Sequence, residues 1–142
     1  MGKAEMKASH TNIRWRQRYQ NFRKAFALLQ EAVKLEHASE LEKAGRIQVF
    51  EIVFELAWKL MKDYLKMLGF AVKGPRDAIK QAFREGIIDN GEIWLEALKS
   101  RNETAHIYNE EKAQLIDDKI TDVYFTEIRK LYLFYLKESE RE

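Results

Sequence analysis

The chain has 142 residues, of which 46% are hydrophobic and 34% are charged, and its formal net charge is +2. This size and balance fit one globular domain with a substantial core, and a net charge this small does not by itself indicate a nucleic-acid-binding protein. Cysteine is absent, which excludes disulfide frameworks and thiolate metal sites and leads us to expect a cytoplasmic protein. No stretch approaches the roughly 18–20 apolar residues of a membrane span. A single proline and six glycines are few helix breakers, so long helices are favoured.

The beginning of the chain is basic and lacks the apolar core of a signal peptide. We predict a flexible leader over 1–12, one helical domain over 13–138 and a tail over 139–142. Residues 1–24 carry seven Lys and Arg side chains against a single acidic residue, Glu5. Such an arm can contact a phosphate backbone, although a solvated helix face or residues left from expression would have the same composition.

The first helix is predicted from about Ile13 to His37. Its large apolar side chains recur at alternating steps of four and three residues, a spacing that places them on one face of a helix. They are Trp15, Tyr19, Phe22, Phe26, Leu29 and Val33. This helix is therefore expected to bury one stripe and to expose its charged residues on the opposite side.

The second helix is predicted to begin after Ser39, an N-cap residue with Glu42 three positions later, and to end near Leu68–Gly69. Its apolar face is too broad for a single neighbour, so we expect packing on two sides, with a second subunit among the candidate neighbours. Glu55 is interpreted as an i,i+4 surface pair with Lys59. The expected apolar face comprises Ile47, Phe50, Val53, Phe54, Ala57, Trp58, Met61, Tyr64, Leu65 and Leu68.

Three further helices complete the prediction. Gly74-Pro75 begins a third helix that stops at Gly86, and a fourth leads into the segment 101–108. Asn109-Glu110-Glu111 is expected to break or bend the chain before a last helix over about 112–137. The third helix is expected to turn Ala78, Ile79, Ala82 and Phe83 inward, and the last to bury Ile116, Ile120, Tyr124, Ile128, Leu131 and Tyr135. The fold class is therefore all-α: an up-and-down antiparallel bundle of about five helices, expected to be dimeric.

The chemistry is concentrated in residues 100–109, which contain Arg101, Asn102, His106 and Tyr108. The chain has no glycine-rich phosphate loop, nucleophile elbow or His-Glu-x-x-His motif, and the presence of only three histidines argues against a histidine metal site. On an ideal helix Arg101 and His106 diverge by about 140°. One straight helix therefore cannot easily direct both side chains at one atom, whereas two copies related by a dimer axis could.

These residue types suit phosphoryl transfer within RNA. An imidazole can take the proton of a 2′-hydroxyl group or protonate the leaving oxygen, and a guanidinium can bind the phosphate and stabilise its developing charge. No metal or other cofactor is needed, and DNA should resist. A structural alternative is a histidine at the end of a bundle that is hydrogen-bonded to a carboxylate.

The run from Ser100 to Glu110 resembles the signature of the HEPN superfamily in its Arg-x4-His-x-Tyr form. Residues 54–59 with 62–65, 74–79 and 91–94 are similar to one HEPN branch, the nucleotidyltransferase substrate-binding protein family, which is related to the HepT toxins. The resemblance covers about residues 13–137, and the order of the motifs is more specific than any one of them.

This resemblance implies a helical homodimer whose partner is a minimal nucleotidyltransferase, the two forming a toxin–antitoxin-like module. It implies metal-independent RNA cleavage, with Arg101 and His106 as catalytic residues and Asn102 as a supporting polar residue. It also implies that the nucleotidyltransferase silences the toxin by adding AMP to Tyr108.

Two other readings stay open at this point. In one, the protein is a non-catalytic substrate-binding subunit of the nucleotidyltransferase, and Arg101 and Tyr108 bind a phosphate or a base. In the other, the bundle is purely structural, and the polar cluster holds a dimer interface together. RNA cleavage distinguishes the first from the leading hypothesis, and loss of dimerisation in Arg101→Ala would favour the second.

Overall fold

The scarcity of helix breakers gives long helices that pack into an antiparallel bundle. A computed structural model describes residues 3–106 and 109–141, with side chains from residue 10 onward. Its α-helices are α1 Lys3–Val33, α2 Glu40–Met67, α3 Pro75–Arg84, α4 Gly91–Glu103, α5 Glu110–Lys119 and α6 Phe125–Ser139. Because α5 and α6 are joined without a break by a helical segment, the described residues form five helical rods, as predicted.

Helix α1 begins well before the predicted start at Ile13. No glycine or proline lies between Lys3 and Asn12, so nothing in the sequence stops the helix from extending in that direction. Several cations of its basic segment are engaged within the chain. Arg14 and Arg18 both approach the carboxylate of Asp63, and Arg16 donates to backbone carbonyls at the end of α6.

The start of α2 is a capping box, as the sequence predicted. The Ser39 side chain accepts a hydrogen bond from the backbone of Glu42, and the Glu42 side chain accepts one from the backbone of Ser39. The helix then contacts α1, α3, α4, α5 and α6. The breadth of its apolar face is therefore explained by neighbours within the same chain and does not by itself require a second subunit.

Helices α3 and α4 form a short pair that packs against α2. Pro75 occupies the first turn of α3, and Gly86 follows its end with a φ of +74°, in the left-handed region that favours glycine. Phe83 was predicted to face inward, but 48% of its surface is exposed. Its ring lies instead against Gly91, where a Cβ atom would come within 3.2 Å of Phe83 Cδ1.

The last rod contains a π-helical segment, Ile120–Tyr124, between α5 and α6. Asn109 caps this rod by accepting a hydrogen bond from the backbone of Lys112 at 2.7 Å. The predicted break is therefore limited to Asn109, since Glu110 and Glu111 already belong to the first turn of α5. Three successive apolar steps of four residues, from Ile116 to Ile128, would drift by about 120° around an ideal α-helix. The wider π turn compensates for that drift, and all the apolar residues predicted for this rod are buried.

Aromatic contacts fill the core between α1, α2 and α6. Trp15 packs edge-on against Tyr64 with ring centroids 5.0 Å apart, and Tyr64 meets Tyr135 at 5.2 Å. Phe26 stacks on Tyr132 at 4.6 Å. None of the helices in the described ranges combines the length and the apolarity that a membrane span requires.

Candidate functional site

The candidate site forms where α4 ends. Arg101 and Asn102 lie in the last turn of α4, and a short 3-10 turn, Thr104–His106, continues from it. The hydroxyl of Thr104 donates to the carbonyl of Arg101 at 2.7 Å, which satisfies one of the carbonyls left free at a helix end. A cation at this position also interacts favourably with the helix dipole.

A partly buried hydrogen bond connects this end of α4 to the last rod. The hydroxyl groups of Ser100 and Tyr124 are 2.7 Å apart, and Tyr124 belongs to the π segment. Burial raises the pKa of Tyr124, while the hydrogen bond with Ser100 lowers it in part. The residue that precedes Arg101 is therefore held in place by a neutral tyrosine hydroxyl.

Arg101 forms an ion pair with Glu55 of α2. Its Nη2 donates to Glu55 Oε2, and its Nη1 donates to Asn102 Oδ1 at 3.2 Å. The predicted surface pair between Glu55 and Lys59 is present, with Nζ and Oε1 3.5 Å apart, but it is only part of the environment of Glu55. The partner that sequence reasoning missed lies 46 positions away, where no local spacing could indicate it.

Arg101 and His106 line different grooves. One groove, of about 560 Å³, lies between α2 and the end of α4 and is bordered by Ile52, Glu55 and Arg101. We call it the Arg101 groove. A larger groove, of about 1020 Å³, contains His106 and opens toward the start of α3; we call it the His106 groove.

Asn102 borders both grooves. The divergence that the five-residue spacing predicts is therefore present, although α4 does not continue as a straight α-helix through His106. The predicted hydrogen bond between His106 and a carboxylate has no counterpart among the described residues.

His106 is exposed, so its imidazole is accessible to a large substrate. Within residues 3–106 and 109–141, no cluster of His, Asp and Glu side chains could hold a metal ion. Tyr108 lies outside the described residues. The described part of the site thus offers a guanidinium, an amide and an imidazole around one helix end, the groups that bind phosphate and move protons.

Comparison with known sequences places this geometry in context. The model of the family described as nucleotidyltransferase substrate binding protein like matches residues 17–137. The chain is also 36% identical over 84 residues to the probable ribonuclease HepT of Haemophilus influenzae, a match that covers 56% of this chain and 58% of that protein. The chain thus spans just over half the length of this curated relative.

Two solved structures share the fold. A protein from Thermus thermophilus superimposes with a TM-score of 0.75 at 30% identity, over 84% of this chain and 99% of that chain. A Haemophilus influenzae protein superimposes with a TM-score of 0.68 at 27% identity, over 81% of this chain and 96% of that chain. The second structure is described as revealing the fold of a substrate binding domain of a nucleotidyltransferase.

Proposed function

This chain belongs to the nucleotidyltransferase substrate binding protein-like family, and we propose that it is a HEPN-type, metal-independent RNA endonuclease controlled by a minimal nucleotidyltransferase. The observation that carries the proposal is the arrangement of Arg101, Asn102 and His106 at the end of α4, with accessible grooves on both sides. The name of the Haemophilus influenzae relative, probable ribonuclease HepT, supports the same activity.

In the proposed reaction, His106 accepts the proton of a ribose 2′-hydroxyl group, and the 2′-oxygen forms a bond to the adjacent phosphorus. The bond between phosphorus and the 5′-oxygen breaks, and that oxygen takes a proton from water. The products are a 2′,3′-cyclic phosphate and a 5′-hydroxyl group. Arg101 binds the phosphate and stabilises the charge that develops on its oxygens, and Asn102 supports Arg101 by the hydrogen bond at 3.2 Å.

We propose that a complete site combines two copies of the chain. Arg101 and His106 line different grooves of one protomer. In the proposed dimer, the phosphate bound by Arg101 of one protomer therefore lies next to the His106 imidazole of the other. A homodimer with a twofold axis would make two identical sites of this kind. This arrangement is supported by the divergence of the two side chains, and a cytoplasmic location of the dimer is part of the same proposal.

Regulation by the nucleotidyltransferase would act at Tyr108. In this proposal the tyrosine oxygen attacks the α-phosphorus of ATP, pyrophosphate leaves, and AMP remains on the side chain. The added phosphate brings negative charge and bulk to the segment that follows His106. It would block RNA sterically and electrostatically, so that the two proteins behave as a toxin–antitoxin-like module.

The deciding experiment compares the parent protein with His106→Ala. The intact mass of each preparation first establishes that Tyr108 is unmodified, and each is then incubated with total RNA in EDTA. We expect the parent to cleave RNA and the variant to be inactive while retaining its helical content and its oligomeric state. Equal cleavage by both preparations, or none by an unmodified parent, would overturn the nuclease proposal.

A second function, a non-catalytic substrate-binding subunit, is supported by the description of the family and of the second solved structure. In that case Arg101 would bind a phosphate of the nucleotidyltransferase substrate, and no RNA would be cut. A tight complex that changes the products of the nucleotidyltransferase, formed by a parent protein without nuclease activity, would favour it.

A further inference from the structure

The ion pair between Arg101 and Glu55 joins the candidate phosphate-binding residue to a carboxylate on another helix. The two side chains are 34% and 31% exposed, respectively. This partial shielding makes the pair less open to screening by salt than a fully exposed surface pair. Any RNA phosphate that reaches Arg101 must therefore bind a guanidinium that already has an anionic partner.

Glu55 is itself held in place by its neighbours on α2. The indole nitrogen of Trp58 donates to Oε2 at 3.0 Å, and Lys59 Nζ lies 3.5 Å from Oε1. A carboxylate with these additional partners is a fixed point on α2 and not a mobile surface group. The long side chain of Arg101, which belongs to α4, is thereby given one orientation.

The contacts of Arg101 leave part of its guanidinium for a substrate. An arginine side chain has five N–H donors, and the bonds to Glu55 and Asn102 use one donor each. These two bonds restrict the Arg101 side chain to few rotamers. The remaining donors can then meet a phosphate with less loss of side-chain entropy.

We propose that Glu55 is a positioning residue for RNA cleavage: it holds Arg101 in its reactive orientation at the cost of weaker phosphate binding. This inference rests on the proposed nuclease function. It makes an unusual prediction, because removal of the carboxylate should change binding and turnover in opposite directions. RNA should bind as well or better without the negative charge, whereas cleavage of bound RNA should slow because Arg101 is no longer aligned.

The variants Glu55→Ala and Glu55→Gln separate charge from position. Arg101 and Trp58 both donate to Oε2 of Glu55, so the single carbonyl oxygen of glutamine can accept both bonds. Glu55→Gln therefore keeps the position and loses the charge. The matched control is Glu31→Ala, which removes the same charge from an exposed carboxylate of α1 that pairs with Lys34 and lines neither groove.

The test measures single-turnover cleavage in EDTA and, separately, RNA affinity in proteins that also carry His106→Ala. We expect Glu55→Ala to cleave bound RNA about 10- to 100-fold more slowly without loss of affinity. We expect Glu55→Gln to recover most of the rate and Glu31→Ala to keep it. Glu55→Asp retains the charge but shortens the reach, so it should also be slow, and it provides a second variant if Glu55→Ala folds poorly.

An active parent whose Glu55→Ala and Glu55→Asp variants cleave at the parent rate would overturn this inference and leave the proposed function intact. Equal losses of affinity and rate would also overturn it, because they would indicate a general structural role. A parent that is inactive with Tyr108 unmodified would instead overturn the nuclease function itself, and the inference with it.

Discussion

The hydroxyl groups of Tyr19 and Tyr64 are placed in the aromatic core around Trp15. Burial raises the pKa of each to about 12, and for Tyr64 the neighbouring carboxylate of Glu138 adds to the effect. A raised pKa means that the folded protein holds the phenolic proton more tightly than the unfolded chain does. The resulting stability is fully present below the unfolded-state pKa of about 10 and is lost as the pH rises through about 12.

We therefore expect the free energy of unfolding to fall between about pH 10 and about pH 12. Urea unfolding at a series of pH values measures this change. Tyr64→Phe lacks one of the titrating groups, so its stability should decline less steeply over the same interval than that of the parent. Parallel declines in the two proteins would contradict a role for Tyr64 in the alkaline transition.

At the same scale, the spacing of five residues between Arg101 and His106 predicted that their side chains point in different directions. The two side chains do line different grooves. The sequence could not predict the partner of Arg101. Glu55 occupies an ordinary i,i+4 position before Lys59, and its contact with Arg101 exists only because α2 and α4 pack together. The proposed roles of Arg101, Asn102, His106 and Tyr108 stay predictions.

At the scale of helices, one buried ion pair joins three elements. Arg46 of α2 donates to both carboxylate oxygens of Asp117 on α5 at 2.8 and 2.7 Å. It also donates to the carbonyl of Ala32 at 3.0 Å and to that of Leu35 at 3.3 Å, where α1 ends. Arg46 and Asp117 are 5% and 2% exposed, so each depends on the other for neutralisation.

Replacement of Asp117 by alanine should lower the free energy of unfolding by about 3–5 kcal/mol, because it leaves the guanidinium of Arg46 buried without its carboxylate. Asp118→Ala, a change at the neighbouring exposed position, should stay within about 0.5 kcal/mol of the parent. Urea unfolding of both variants measures the difference. Similar stabilities for Asp117→Ala and Asp118→Ala would contradict a stabilising role for the ion pair between Arg46 and Asp117.

Helix ends were the most predictable feature at this scale, since each depends on a few adjacent residues. The capping box at Ser39 and the start at Pro75 are confirmed, whereas α5 begins at Glu110, two residues before the predicted start at Lys112. The π segment was not predicted, although three successive apolar steps of four residues were a usable signal. The early start of α1 was also missed, because the sequence before Ile13 has no apolar stripe of helical period from which a helix could be predicted.

At the scale of the whole molecule, the all-α bundle was predictable because the apolar stripes have a helical period and the connections are short. The breadth of the α2 face was not evidence for a dimer, since neighbours in the same chain cover much of it. What argues for two copies is the separation of Arg101 and His106 into different grooves.

Mixed dimers test whether one site combines Arg101 of one chain with His106 of the other. Arg101→Ala and His106→Ala should each be inactive alone. After unfolding and refolding together, half of the dimers would contain one chain of each kind, and each of these would have one intact site of two. The mixture should therefore recover about a quarter of the parent activity in an RNA cleavage assay. If the mixture stayed inactive although mixed dimers had formed, both residues would have to act within one chain.

The π turn gives the last rod an unusual relation to insertion and deletion. A π turn holds one more residue than an α-helical turn, so removing one residue from 120–124 would let the segment close as an ordinary α-helix. The later side chains would stay in phase with α5, and Tyr135 would keep its contacts with Trp15 and Tyr64. A deletion elsewhere in the rod would instead rotate every later side chain by about 100°. Over evolutionary time this stretch should therefore lose a residue more readily than the rest of the rod.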